Sequence, residues 1–180
     1  LTPDQLTGLD VNDVAALSSS QLAVLGSAQL TAMSTAQLAA IETADFKSVA
    51  TAALHALAAD QVAALTSGQF SAMTTAQAVA LTGDQLASLS TDKLNALGSA
   101  EFAVLSSAQV AALTAAQVGK LETADVAALG TAALKGLGVE SVAALTTAQM
   151  QSITSAQFAS LSSTQLAALG SADVAAITTA

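Results

Sequence analysis

The sequence predicts an all-α solenoid, a superhelix of very short helices with one helix per eight-residue repeat. Three observations carry this reading. An eight-residue pattern fills the chain from Thr2 to Ile177 in 22 octads without a gap. Two positions of the pattern, three residues apart, are apolar throughout, and that spacing is one helical turn. Half of the octads open with Ser or Thr followed three residues later by Gln, the pairing that starts a helix.

Labelling the positions a to h makes the pattern explicit. SSSQLAVL (18–25), STAQLAAI (34–41), SSAQVAAL (106–113) and TSAQFASL (154–161) are typical octads. Position h is Leu, Ile, Met or Val in all 22, and position e is apolar in all 22, with Ala78 the only small one. Position d is Gln in 13 octads and Asp in 4, and position a is Ser, Thr or Asp in 13. Positions c, f and g are mostly Ala.

Ala, Leu and Gln favour helix, Ala is depleted in strands, and the alternation of a strand is absent. One continuous helix is a poor solution. Eight residues turn an α-helix by about 800°, so the e/h stripe drifts by about 80° per octad. No lasting seam forms, and coiled-coil packing needs one. A break in every octad solves this. Thr2 with Gln5, Ser18 with Gln21, Ser34 with Gln37 and Ser106 with Gln109 read as capping pairs. Pro3 falls at the first helical position, where its missing N–H is not needed. Where position a is Gly (Gly26, Gly98, Gly130, Gly138, Gly170), a left-handed residue is expected to end the preceding helix, with Ser or Thr at b taking over the cap.

Helices of five or six residues do not persist alone, so e and h must pack against neighbours. Leu22, Leu25, Phe46, Phe70, Phe102, Leu105, Phe158 and Leu161 are the expected core. Ala at c, f and g lets backbones approach, and Ser, Thr and Gln fall at the corners. The whole chain, 1–180, reads as a single uninterrupted array (octads 2–177). A longer period overlies it. ETADFKSVATAALHALAADQVAAL (42–65) returns 80 residues later as ETADVAALGTAALKGLGVESVAAL (122–145). Ten octads mark either whole superhelical turns or a duplication.

Composition excludes several functions. Zero Cys removes disulfides, thiolate metal sites and Cys nucleophiles. A net charge of −9 with four bases argues against nucleic-acid backbone binding. The aliphatic content is too high for disorder. The uncharged stretch between Asp60 and Asp84 is long enough to span a bilayer. It carries Gln61, Thr66, Ser67, Gln69, Thr74, Thr75 and Gln77, so no membrane span is expected. The start, LTPDQLTGLDVND, lacks the basic and apolar regions of a signal peptide.

Candidate chemistry is sparse. His55 is the sole His; its counterpart one long period later is Lys135, so an exposed polar position suffices. Asp4, Asp60, Asp84 and Asp92 at c, and Asp13, Asp45, Glu101, Asp125 and Asp173 at d, fall in first helical turns, where negative charge suits the helix dipole. No Ser has a His–Asp pair to activate it, and phosphate-loop, dinucleotide and zinc motifs are absent. No catalytic, cofactor or metal residue is expected, and the chain does not read as an enzyme.

The units LTTAQMQSI (145–153), LSSAQVAAL (105–113) and IETADFKSV (41–49) resemble the octapeptide arrays of LTTAQVAAL and IETAD type in very large bacterial surface or secreted adhesin-like proteins. The resemblance covers the whole chain. It implies an extracellular or cell-surface, filamentous or stalk-like role and carries no catalytic residue. The expected function is a structural, non-catalytic filament segment that associates with itself, end to end or laterally, its array lacking terminal capping units. The alternative is a partner-binding solenoid using the non-consensus blocks 42–65 and 122–145, with Glu42, Lys47, His55, Glu122 and Lys135 as its surface.

Overall fold

The computed structural model describes residues 1–170. Among them each octad forms one helix, giving 21 α-helices and no strand. In the longer helices, b to g are helical and the chain turns at h and a. Thr35–Ala40 shows the rule: Ser34 before it is extended (φ −70°, ψ 161°), and Ile41 after it turns out of the helix (φ −57°, ψ 126°). Thr75–Ala80 repeats it, with Leu81 at φ −64°, ψ 139°. The corner of such a helix is therefore a two-residue extended step from the apolar h to a, most often Ser or Thr.

This geometry corrects the reading of the glycines. Gly26 (φ −87°, ψ 177°), Gly98 (φ −80°, ψ 170°), Gly130 and Gly138 are extended N-caps of the following helix. No described glycine has a positive φ, Gly170 included. A left-handed residue is not needed because h has already left the helix in a conformation open to any residue. Nor does the cap move to b: Ser27 and Ser99 are the first helical residues.

The helices group into two compact units, Leu1–Leu97 and the segment from Gly98 onward, although the octad register runs on without insertion. In the first unit each helix packs on the third one along. One column holds α1 (Pro3–Thr7), α4 (Ser27–Ala32), α7 (Thr51–Ala56) and α10 (Thr75–Ala80). A second holds α2 (Val11–Ala15), α5 (Thr35–Ala40), α8 (Ala59–Ala64) and α11 (Gly83–Ala87). The third holds α3 (Ser19–Leu22), α6 (Thr43–Phe46), α9 (Ser67–Ser71) and α12 (Thr91–Ala96). A turn is therefore three octads. The second unit follows the same rule. Its columns are α13 (Ser99–Val104), α16 (Thr123–Ala128) and α19 (Thr147–Ser152); α14 (Ser107–Ala111), α17 (Thr131–Gly136) and α20 (Ser155–Ser160); and α15 (Ala115–Val118), α18 (Val139–Ala143) and α21 (Ser163–Ala167).

Positions e and h fill the interior of each unit. Leu22, Leu25, Phe46 and Phe70 are buried in the first; Phe102, Leu105 and Leu161 are buried in the second. Each such side chain contributes about 1.5–3 kcal/mol by leaving water. Phe158 is only half-buried; its helix, α20, packs on α17 along one side. Most alanines are not core. Those at c, such as Ala36, Ala44 and Ala108, are exposed, and Ala53, Ala78 and Ala133 are the buried ones among the described residues. Close backbone approach falls instead at f and g. A Cβ on Gly136 would stand 2.2 Å from the Ser107 carbonyl oxygen, and one on Gly119 would stand 2.8 Å from that of Ala144. Asp173 and Ile177 lie outside the described residues. No described helix is long and apolar enough to cross a membrane.

Two glycine substitutions separate packing from backbone freedom. Gly136→Ala forces α17 away from α14 and is expected to destabilise by about 1–3 kcal/mol. Gly8→Ala meets its neighbours at ordinary van der Waals distance, the nearest 3.6 Å away, at an ordinary helical φ of −84°. It is expected to stabilise by about 0.4–1 kcal/mol through the unfolded chain. Urea unfolding of the two variants reads opposite shifts in midpoint.

Candidate functional site

The polar groups that the fold brings together lie at the corners. A helix leaves its first four N–H and last four C=O groups unpaired, so a helix of six residues has little beyond its ends. At the N-terminal end the sequence supplies capping boxes. Thr2 N–H donates to Gln5 Oε1 at 2.8 Å, and Gln5 N–H donates to Thr2 Oγ1 at 3.2 Å. Ser34 with Gln37 and Ser106 with Gln109 do the same. Ser18 departs in detail. Its N–H donates to Gln21 Oε1, but its hydroxyl donates to that oxygen too (2.9 Å), and the Gln21 N–H goes to the Ser18 carbonyl.

The glutamine does more than cap. Its Oε1 is used at its own corner, and its Nε2 reaches the corner one turn earlier. Gln37 Nε2 donates to the carbonyls of Leu6 and Leu9, each at 2.8 Å. Gln69 donates to Leu38 and Ile41, Gln77 to Phe46 and Val49, and Gln85 to Leu54 and Leu57, all at 2.7–3.0 Å. In the second unit Gln149 donates to Val118 and Leu121, and Gln165 to Leu134 and Leu137. The acceptors of these six are the e and h carbonyls of the octad four back, orphans of a helix end; Gln61 and Gln157 take the f carbonyls of Thr31 and Ala127 in place of e, and keep h. Each of these Gln residues thus joins a helix start to the helix end beneath it. These amides are buried, Gln69 to 0 % exposure and Gln77 to 1 %.

Sequence reasoning placed the Gln in a capping role and missed the ladder. A signal was present. The helix dipole favours a carboxylate in the first turn, yet d is Gln in 13 octads and Glu only at Glu101. An acceptor alone would select Glu; the preference for Gln demands a donor. Where d is Lys93, its Nζ donates to the Ala63 carbonyl in the same manner.

The ETAD octads break the rule. Asp45 and Asp125 cannot donate as carboxylates. They accept instead from Ser19 Oγ and Ser99 Oγ of the octad three back, the latter at 3.0 Å. Asp125 is 3 % exposed, so the first-turn dipole reading does not describe it fully. Its Oδ2 is buried without a hydrogen-bond partner among the described residues. Burial raises its pKa above 3.8; the Ser99 bond opposes the rise, and the negative charges of Glu122 and Glu101 add to it.

The five residues of the expected partner surface are all exposed: Glu42, Lys47 and His55 in the first unit, Glu122 and Lys135 in the second. His55 is tied down, its Nδ1 2.9 Å from the Ala80 carbonyl, which gives Nδ1 the donor role. Lys135 lines a shallow groove with Ser107, Ala108, Ala111, Ala132 and Gly136. Among the described residues no three His, Asp or Glu side chains gather where a metal ion would be held.

Columns of stub helices locked by corner amides define a helical repeat solenoid. A family model described as the ALTTAQ repeat matches residues 6–40, 38–75, 91–121 and 118–155, well over half of the chain. The chain belongs to the ALTTAQ repeat family, whose name stands verbatim in Ala144–Gln149. Comparison with curated proteins gives no match.

Two substitutions test the ladder and its exception. Gln69→Ala removes one accepted and two donated bonds, an expected cost of about 3 kcal/mol at roughly 1 kcal/mol per bond. Gln5→Ala removes a capping interaction alone and should cost about 1 kcal/mol. Equal costs in urea unfolding would show that the inter-turn bonds carry no weight. For Asp125, a folded pKa above 3.8 means that folding is favoured by protonation. The burden of burying its charge is absent in acid and sets in as pH rises through the raised folded value. Asn removes that charge and offers Nδ2 as a donor. Asp125→Asn is therefore expected to stabilise at pH 7, with the gain shrinking as pH falls through that window, in unfolding curves taken across pH.

Proposed function

We propose that the chain is a structural, non-catalytic segment of an extended extracellular bacterial filament, stalk or adhesin, and that copies of it associate. The observation that carries this reading is the ladder itself. Within each unit, turns whose d residues are Gln are joined to the one before by the same kind of corner bond, 28 and 31 residues back. A fold built that way lengthens by adding turns, and its stability grows as a sum over units and their interfaces. The resemblance of IETADFKSV and LTTAQMQSI to arrays in very large surface proteins supports the extracellular setting. Association follows from the outer faces. They present small c alanines such as Ala36, Ala44 and Ala108 among Ser and Thr, and only 9 % of the residues are charged. Such a surface does little to repel a second copy.

The purified chain at neutral pH is expected to gain scattering mass as its concentration rises and to show elongated particles by electron microscopy. A monomer that persists at high concentration would remove the association from this proposal.

A further inference from the structure

The block 122–145 is a single turn of the second unit, α16, α17 and α18, and it departs from the consensus at all three corners. Its d residues are Asp125, Ala133 and Ser141, none of which carries an amide. Its N-caps are Glu122, Gly130 and Gly138, and none makes a side-chain capping bond. The turn is held to the preceding helices by weaker means. Ser141 Oγ donates to the Leu113 carbonyl at 3.3 Å, Ser99 Oγ donates to Asp125 at 3.0 Å, and Gly136 lets α17 lie against the Ser107 backbone.

The neighbours on either side differ. The turn that follows is capped by Thr146, Thr154 and Ser162. It is laddered by Gln149, Gln157 and Gln165; Gln157 and Gln165 clamp the Leu129 and Leu137 carbonyls, which end α16 and α17. Before the block, α14 and α15 carry complete capping boxes at Ser106–Gln109 and Thr114–Gln117. The block is thus fastened by corner amides on its C-terminal side and by close packing without them on its N-terminal side.

We propose that the turn 122–145 is a built-in opening point, where heat or tension parts α16–α18 from α13–α15 while the capped helices before it and the laddered turn after it stay closed. The attraction at Gly136 is dispersive and short-ranged: a gap of about 0.5–1 Å forfeits a quarter to a half of it. Corner amides would add hydrogen bonds across this interface, and here they are missing. Once parted from α13–α15, helices this short are held along one side only, by α19–α21, and they fray. Asp125 adds to the weakness, because its buried Oδ2 has no partner among the described residues. The block 42–65 of the first unit is a milder version. It has Asp45 and Ala53 at d but keeps Gln61, which donates to the Thr31 and Met33 carbonyls.

Hydrogen exchange on the full chain, read peptide by peptide at neutral pH, tests this directly. Amides in 122–145 are expected to exchange about tenfold faster than those in both 106–121 and 146–169, since locally open segments exchange first. A minimum flanked by slower segments cannot arise from fraying at an end. Protection in 122–145 equal to or above that of either flank overturns the proposal. The triple variant Asp125→Gln, Ala133→Gln, Ser141→Gln supplies the three missing amides and should raise protection of the block to that of 146–169. A folded triple variant whose block still exchanges at the parent rate overturns it as well.

Discussion

The corner amide is the constraint on which the rest depends. Helices of four to six residues are almost all ends, and unpaired end groups at a buried corner cost about as much as lost hydrogen bonds. A Ser or Thr hydroxyl answers one N–H, and the Gln Oε1 answers another. The carbonyls of the previous turn remain, and only a donor satisfies them. Gln is a side chain that accepts and donates from one rigid plane. Its Nε2 meets carbonyls 28 and 31 residues back, which is one three-octad turn plus the distance from a helix end to the next start. The same atoms that finish one corner therefore set the spacing to the next.

That lattice explains a composition that would mislead if read as hydropathy. The mean hydropathy is +0.61, yet the apolar interior is built almost wholly from e and h, with Ala53 and Ala133 at d added. The alanines that raise the average stand largely on the outer faces, as Ala36, Ala44 and Ala108 do. Their smallness matters where turns stack. Ser152 and Ser160, at position g, donate to the b carbonyls of Thr123 and Thr131. Gly136, also at g, reaches the b carbonyl of Ser107 with no side chain between. A large residue there would push turns apart and break the corner bonds.

Much of this was legible in the sequence, because it is local to one octad. The helix starts at Thr2, Ser34 and Ser106, and the buried Leu22, Phe46, Phe70 and Phe102, follow from spacing within eight residues. What was not legible involves relations across a turn. The three-octad period is set by how corners stack, and no residue within an octad announces it. Gly26 and Gly98 were misread for a related reason. A helix-ending glycine suggests a left-handed cap when the next residues are unknown; here Leu25 and Leu97 have already turned the chain. The buried Asp125 looked like any first-turn acid, since burial at d depends on the helices packed above and below.

The departures from consensus are organised by the same lattice. Each ETAD block is 24 residues long, one full turn, so consensus is relaxed at successive corners of one layer and not along a column. The long period does not share that unit: 80 residues are not a multiple of 24, so it does not count whole turns of the pitch found in either unit. Relaxing a whole layer is tolerable only if the next layer restores the bonds. Gln77 and Gln85 do this for the ends of α6 and α7, and Gln157 and Gln165 for those of α16 and α17. A solenoid whose layers are fastened one to the next can therefore carry isolated weak layers without losing its register, and where it yields becomes a property of the sequence at position d.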